Sequence, residues 1–315
     1  VDYPGVAQAK LRILKLLHAH FRRDKSAQTS ARVAQFQAYR AERGESLRRH
    51  ALHDAIDEHM RAVDGHRYWG WPMWPEELRE PTLPGVQAFE QAHAGLVEFH
   101  AWLQWLADEQ LGEAQALGRK LGMSIGLYGD YAVGVNASGS ETWSDQALYR
   151  KGAGVGAPPD ALALKGQDWG IPPQDPNVLM AEQYRPFRNL VAANMRHFGA
   201  LRLDHVMALF RQWWVPAGLG SIAGGYVHYP LDDLMSVLVL ESERHDCLVI
   251  GEDLGTVPPE MSHAMDDRAV YSYRVLLFAK RADGSFIAPG EYPRRAIATA
   301  TTHDLPTLRG YWSGG

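Results

Sequence analysis

Beyond residue 122 the chain alternates short apolar runs with longer connections, and three of those runs close on a carboxylate. The runs are SIGLYGDYAVGV (124–135), GALRLDHVMAL (199–209), CLVIGEDLG (247–255), YSYRVLLFAK (271–280) and RAIATATTHDLP (295–306). Each has the length and bounding residues of a buried strand, whereas DDLMSVLVLESERH (232–245) between two of them has helical spacing. Strands that alternate with helices pair in parallel, so this part of the chain is expected to be an α/β sheet or barrel.

The first 122 residues are a different kind of polypeptide. Val6, Leu11, Leu14, Leu17 and Phe21 recur mostly three or four apart, as do Leu96, Phe99, Leu103 and Leu106, which is amphipathic helix spacing. Gly122 supplies a helix stop. In RYWGWPMWPEEL, Trp69, Trp71 and Trp74 alternate with Gly and Pro, so a loop anchored onto the helices by aromatic side chains is expected. The expected division is therefore a helical subdomain over 1–122 and barrel strands over 123–315.

Composition narrows the function classes. With 46% hydrophobic and 22% charged residues over 315 positions the chain is globular, and a net charge of −5 without a basic stripe argues against nucleic acid as a partner. No apolar run reaches the 18 or so residues of a membrane span. Cys247 is the one cysteine, which excludes an intrachain disulfide and a thiolate zinc cluster. The opening VDYPGVAQAK has neither a charged n-region nor an apolar h-region, and the expected location is cytoplasmic.

The candidate chemistry lies where strand runs end: Asp204 with His205, Glu252 with Asp253, and Asp304 preceded by His303. Asp204, Glu252 and Asp304 stand 48 and 52 residues apart. A parallel barrel delivers every strand's C-terminal end to one face, so the three acids are expected to share a pocket. Three converging acids suit either a Mg²⁺ site of the enolase kind or glycosyl transfer. Enolase-type barrels need strand lysines, and here only Lys280, at the end of a run, is available. Arg202 precedes Asp204 by two and shares its strand face, where a guanidinium holds a carboxylate ionised. Trp143, Trp169, Trp213, Trp214 and Tyr226 supply rings of the sort that stack on sugars, so glycosyl chemistry leads.

The strings IGLYGDYAVGV, ETWSD, GAPPD, GQDWGIPP, ALRLDH, YVHYP, VIGEDLGTVP and TTHDLPTLRGYW resemble the 4-α-glucanotransferases, or amylomaltases, of glycoside hydrolase family 77, in order and spacing from end to end. The resemblance implies a partial (β/α)8 TIM-type barrel of the α-amylase clan with a large helical insertion. It implies Asp204 as nucleophile, Glu252 as general acid and base, and Asp304 as the carboxylate gripping ring hydroxyls. Arg202 and His303 fall on supporting positions, while Asp130, Asp160, Gln167 and Trp169 match positions lining the sugar cleft. Maltodextrins and other α-1,4-glucans are the implied partners, and no cofactor or metal is implied. The chain resembles the middle of a longer family protein, so a barrel with open edges and little activity of its own is expected. Asn136 departs from the family's usual alanine. The readings left open are an inactive maltodextrin-binding fragment and a Mg²⁺-dependent enolase-like barrel.

Other features are set aside. Gly152, Gly154 and Gly156 in KGAGVGAPP run into Pro158 and Pro159 rather than a helix, so a cleft loop is expected in place of a dinucleotide loop. His50 and His53 share a helix face near Glu58 without an HExxH motif, which reads as a solvated surface rather than a zinc site. Cys247 reads as core. Of Trp213 and Trp214, one is expected to pack inward and the other to face sugar. Treatment with a chelator separates the two leading chemistries: glycosyl transfer is expected to be indifferent to it, and a loss of turnover would favour the Mg²⁺ reading.

Overall fold

In the computed structural model residues 1–24, 26–160, 163–303 and 305–314 are described, and they fall into two compact units. One unit joins Val1–Gly112 to Asn136–Gln146, and the other joins Glu113–Val135 to Ala147–Gly315.

The first unit is built from α1 (Tyr3–Arg23), α2 (Ala27–Asp64), α3 (Pro84–Ala92), the first turns of α4 (Ala94–Lys120) and the short α5 (Ser140–Ser144). Side-chain caps start the long helices: the Asp2 carboxylate accepts from the N–H of Gly5 at 3.0 Å and the Ser26 hydroxyl from Thr29 at 3.2 Å. Inside α2, Gly44 has φ +53° and ψ −133°, a conformation open to glycine, so α2 is two helices meeting at a kink. Leu11, Leu14 and Phe21 pack on the core, but Val6 and Leu17 face solvent. Trp71 and Trp74 are buried through 3₁₀ turns at Trp71–Met73 and Glu76–Leu78, while Trp69 stays half exposed.

Two sequence expectations change in this unit. Trp143 is not available to a sugar: it is fully buried, donates to the Leu78 carbonyl at 3.0 Å and packs edge-on to Trp74. His53 is not on a solvated face, since it is 6% exposed between Trp74 and Trp143 and bonded to Asp54. The helical spacing was sound; the later segment 136–146, which closes over it, lies too far along the chain for a local pattern to anticipate.

The second unit has β1 (Tyr128–Tyr131), β2 (Ala153–Ala157), β3 (Gln167–Ile171), β4 (Ala200–Leu203), β5 (Arg211–Pro216), β6 (Gly225–His228), β7 (Leu248–Gly251), β8 (Ser272–Val275) and β9 (Ala296–Thr299). Its helices are α6 (Pro176–Ala181), α7 (Arg185–Met195), α8 (Leu231–His245), α9 (Pro259–Asp267) and α10 (Leu308–Ser313). β1, β4 and β7 pair in parallel, a parallel bridge between Ile250 and Tyr271 leads from β7 to β8, and β8 pairs in parallel with β9. Each apolar run noted in the sequence contains one of these strands.

Side chains alternate across this parallel array. Leu201, Leu203 and Val249 pack outward on Phe187, Val191 and Met195 of α7, on Leu234 and Leu238 of α8, and on Met261 of α9. Ala200, Ile250, Tyr273 and Val275 form a separate inner cluster. Burial on both faces explains why these strands read as continuous apolar runs.

A second sheet, in the order β3-β2-β5-β6, is antiparallel, and here the expectation of a glycine cleft loop is corrected. Gly154 and Gly156 lie in β2, and a Cβ on Gly156 would stand 1.9 Å from the Gln167 carbonyl oxygen of β3. Glycine serves for close approach of two backbones, and it leaves no hydrophobic pattern to read. Gly156→Ala is expected to destabilise the full-length protein by about 1–3 kcal/mol. An unchanged melting temperature would show that β3 can move aside.

Candidate active site

The site begins with the alternation of the parallel strands. On β4 the inward positions are Ala200 and Arg202, and continuing the period brings Asp204 inward just past the strand end. On β7 the same period runs through Leu248 and Ile250 to Glu252. Asp130 of β1 stands opposite Arg202 in register, and Arg202 opposite Ile250. Three neighbouring strands thus bring Asp130, Arg202, Asp204 and Glu252 to one side of the array.

Arg202 ties them together. It is 7% exposed, with one terminal nitrogen 2.7 Å from Asp130 Oδ1 and the other 2.8 Å from Asp204 Oδ1. Burial alone would lower its affinity for a proton, but the two carboxylates outweigh that and raise it above its ordinary value. The Asp204 side chain remains 40% exposed, so one oxygen is aimed by the guanidinium while the group stays open to a reactant.

Glu252 has the opposite environment. It is 8% exposed, and burial raises its pKa, assisted by the nearby negative charge of Asp204. The backbone N–H groups of Leu254 (2.8 Å, to Oε1) and His205 (2.9 Å, to Oε2), together with Arg202, oppose the rise. His205 reaches this position in a left-handed conformation, φ +48° and ψ +60°. Burial lowers the pKa of its imidazole, against the pull of Asp204, so the ring is neutral near pH 7. Asp253 faces the other way: its carboxylate accepts from the N–H of Tyr273 at 2.8 Å and pairs with Arg274 at 2.9 Å. Of the two adjacent acids, Glu252 therefore belongs to the site and Asp253 to the framework.

The remaining expected residues are placed as follows. Trp169 on β3 meets the His205 ring edge-on at 5.5 Å and donates to Gln167 Oε1 at 2.9 Å, which brings GQDW beside the Asp204 loop. Asp160 accepts from the N–H of Ala163 at 2.6 Å and shapes a turn. His303 is exposed in the segment that follows β9, and Asp304 lies outside the described residues. Trp214 packs on the core, whereas Trp213 stands edge-on to the partly exposed Tyr226. Cys247 is buried, and burial pushes its thiol up to about 11. No group of three or more His, Cys, Asp or Glu among the described residues is arranged to hold a metal ion. Sequence reading missed Tyr273, whose ring lies 5.3 Å from the Arg202 guanidinium; only the pairing of strands identifies it as a neighbour.

The raised Glu252 pKa has a consequence for stability. The unfolded carboxyl titrates near 4.5 and the folded one above it, so the folded state binds this proton more tightly. That contribution is fully present below pH 4.5 and is lost as pH rises through the folded value. The stability of Glu252→Gln relative to the unsubstituted protein is expected to increase across that window and then level off. A difference independent of pH would show that Glu252 titrates as an ordinary carboxyl.

Comparison with known proteins identifies the family of the chain. The family model for 4-alpha-glucanotransferase, glycoside hydrolase 77, matches residues 1–314. The 4-alpha-glucanotransferase of Haemophilus influenzae is 42% identical over 314 residues, covering 99% of this chain and 45% of that protein. That of Mycobacterium tuberculosis is 37% identical over 318 residues, covering 100% of this chain and 42% of that protein. The chain thus spans less than half the length of these curated relatives. The amylomaltase structure from Corynebacterium glutamicum superposes with a TM-score of 0.82 at 35% identity, over 98% of this chain and 40% of that one. The Streptococcus agalactiae amylomaltase, solved with acarbose, superposes at 0.86 and 19% identity over 99% and 62%, a likeness of fold alone. Among the described residues no helix is long and apolar enough to cross a membrane. The fold is α/β, of the TIM-barrel type of the α-amylase clan, and the chain belongs to the 4-alpha-glucanotransferase family.

Proposed function

We propose that the protein transfers α-1,4-glucan segments between maltodextrins by a retaining double displacement. The observation that carries this reading is the pair of acids with opposite environments on adjacent strand ends. Asp204 is open and paired with a guanidinium, and Glu252 is buried with a raised pKa. Retention at an anomeric carbon needs two inversions, so one carboxylate must attack and a second must first donate a proton and then accept one. An ionised Asp204 suits attack on the anomeric carbon, and a carboxyl that keeps its proton longer suits donation to the leaving oxygen.

In this reading Asp304 grips ring hydroxyls as the transition state forms. Arg202, His303, Asp130, Asp160, Gln167 and Trp169 are substrate-binding residues, with residues 123–315 as the catalytic barrel strands and 1–122 as a helical insertion. The proposed partners are maltodextrins and related α-1,4-glucans, in keeping with the acarbose complex of the S. agalactiae amylomaltase. The proposed location is the cytoplasm. The chemistry needs no cofactor, since both proton transfers run through Glu252. The family match leaves the binding-only and Mg²⁺-dependent readings without support.

Incubation of the full-length protein with maltotriose is expected to release glucose and build a ladder of longer maltodextrins. Asp204→Asn is expected to lower turnover by roughly 10⁴-fold with sugar binding retained. Glucose and maltose without longer chains would make the protein a hydrolase, and an active Asp204→Asn would remove Asp204 from the role of nucleophile.

A further inference from the structure

We infer that Tyr273 is a positioning residue for the nucleophile, acting through Arg202. The inference deepens the proposed transferase reading and rests on it. Arg202 spends its two terminal nitrogens on Asp130 and Asp204, so hydrogen bonds fix its position within the guanidinium plane. They do little against movement out of that plane. The Tyr273 ring lies against the guanidinium, 5.3 Å from centroid to carbon, and both residues are buried. A ring face at that distance attracts the cation and blocks its displacement, and the attraction strengthens where water is excluded.

Tyr273 is itself held in place. The Ile250 to Tyr271 bridge sets the register of β8 against β7, which puts Tyr273 level with Glu252 on the inward face. The Tyr273 N–H donates to Asp253 Oδ1 at 2.8 Å, and Asp253 is braced by Arg274. A continuous path of contacts therefore runs from the residue after Glu252, through the Tyr273 backbone and ring, to Arg202 and on to Asp204. Its effect is to hold the oxygen that attacks in constant relation to the acid that donates the proton.

The test is a series at position 273 in the full-length protein, read as kcat and KM with maltotriose. Tyr273→Leu removes the ring face. It is expected to lower kcat about tenfold or more and to leave KM within about twofold. Tyr273→Phe keeps the face and is expected to rescue most of the loss. Phenylalanines bearing one, two, three and five fluorines at 273 preserve size while weakening the ring's attraction for a cation, and kcat is expected to fall stepwise with fluorine count at near-constant KM. A kcat indifferent to fluorination overturns the inference even if Tyr273→Leu fails to fold. Equal losses in Tyr273→Phe and Tyr273→Leu overturn it too, since the hydroxyl would then be the active part. If the unsubstituted protein does not act on maltotriose, the transferase reading fails. Crystal structures of the unsubstituted and pentafluoro-substituted proteins then decide the present inference: a guanidinium that stays between Asp130 and Asp204 in both sinks it.

Discussion

One buried guanidinium shared by two carboxylates is the interaction on which the rest of the site depends. Burying the Arg202 guanidinium costs free energy unless its charge is met with good geometry, which Asp130 and Asp204 supply while keeping much of their own exposure to water. The three carry one net negative charge between them, and Glu252, itself buried, lies beside that charge. Burial first, and the charge of Asp204 second, make Glu252 hold its proton more tightly than a free carboxyl does. The N–H groups of His205 and Leu254 moderate the effect, so Glu252 is biased towards protonation while still able to ionise.

The framework needed for this is ordinary parallel-sheet physics. Helices α7, α8 and α9 cover the outer faces of β4 and β7, which frees the inner face for polar groups at the strand ends. Because side chains alternate, the outward anchoring of Leu203 fixes Asp204 inward, and the outward pairing of Asp253 with Arg274 fixes Glu252 inward. A slip of one residue in β7 would present Asp253 to the site and leave Glu252 in the framework.

Much of this could be read in the sequence, for identifiable reasons. Strands covered on both faces carry continuous apolar runs, so a run closing abruptly on an acid is conspicuous, and Asp204 and Glu252 were found that way. Arg202 followed from the period of two. What escaped notice depended on pairings between distant segments. The glycines of β2 have no side chains to register as a pattern, and the approach of β3 that requires them lies ten or so residues away. Trp143 resembles any exposed aromatic until the helical unit it seals is considered. Tyr273 sits in a run of aromatic and aliphatic residues, and nothing short of strand register distinguishes it from Tyr271. His53, beside Asp54, looked like a surface residue because the segment that covers it comes 85 residues later.

The discontinuity of the helical unit also bears on the order of events during synthesis. Residues 1–112 emerge first, but their core is unfinished without Trp143, which fills the space beside Trp74 and His53. A ribosome adding about 5–20 residues per second therefore exposes a helical assembly with an open aromatic cleft for a few seconds before residue 146 is made. Across that interval the nascent chain presents indole surface to whatever surrounds the ribosome, and β1 has already been synthesised before the cleft can close.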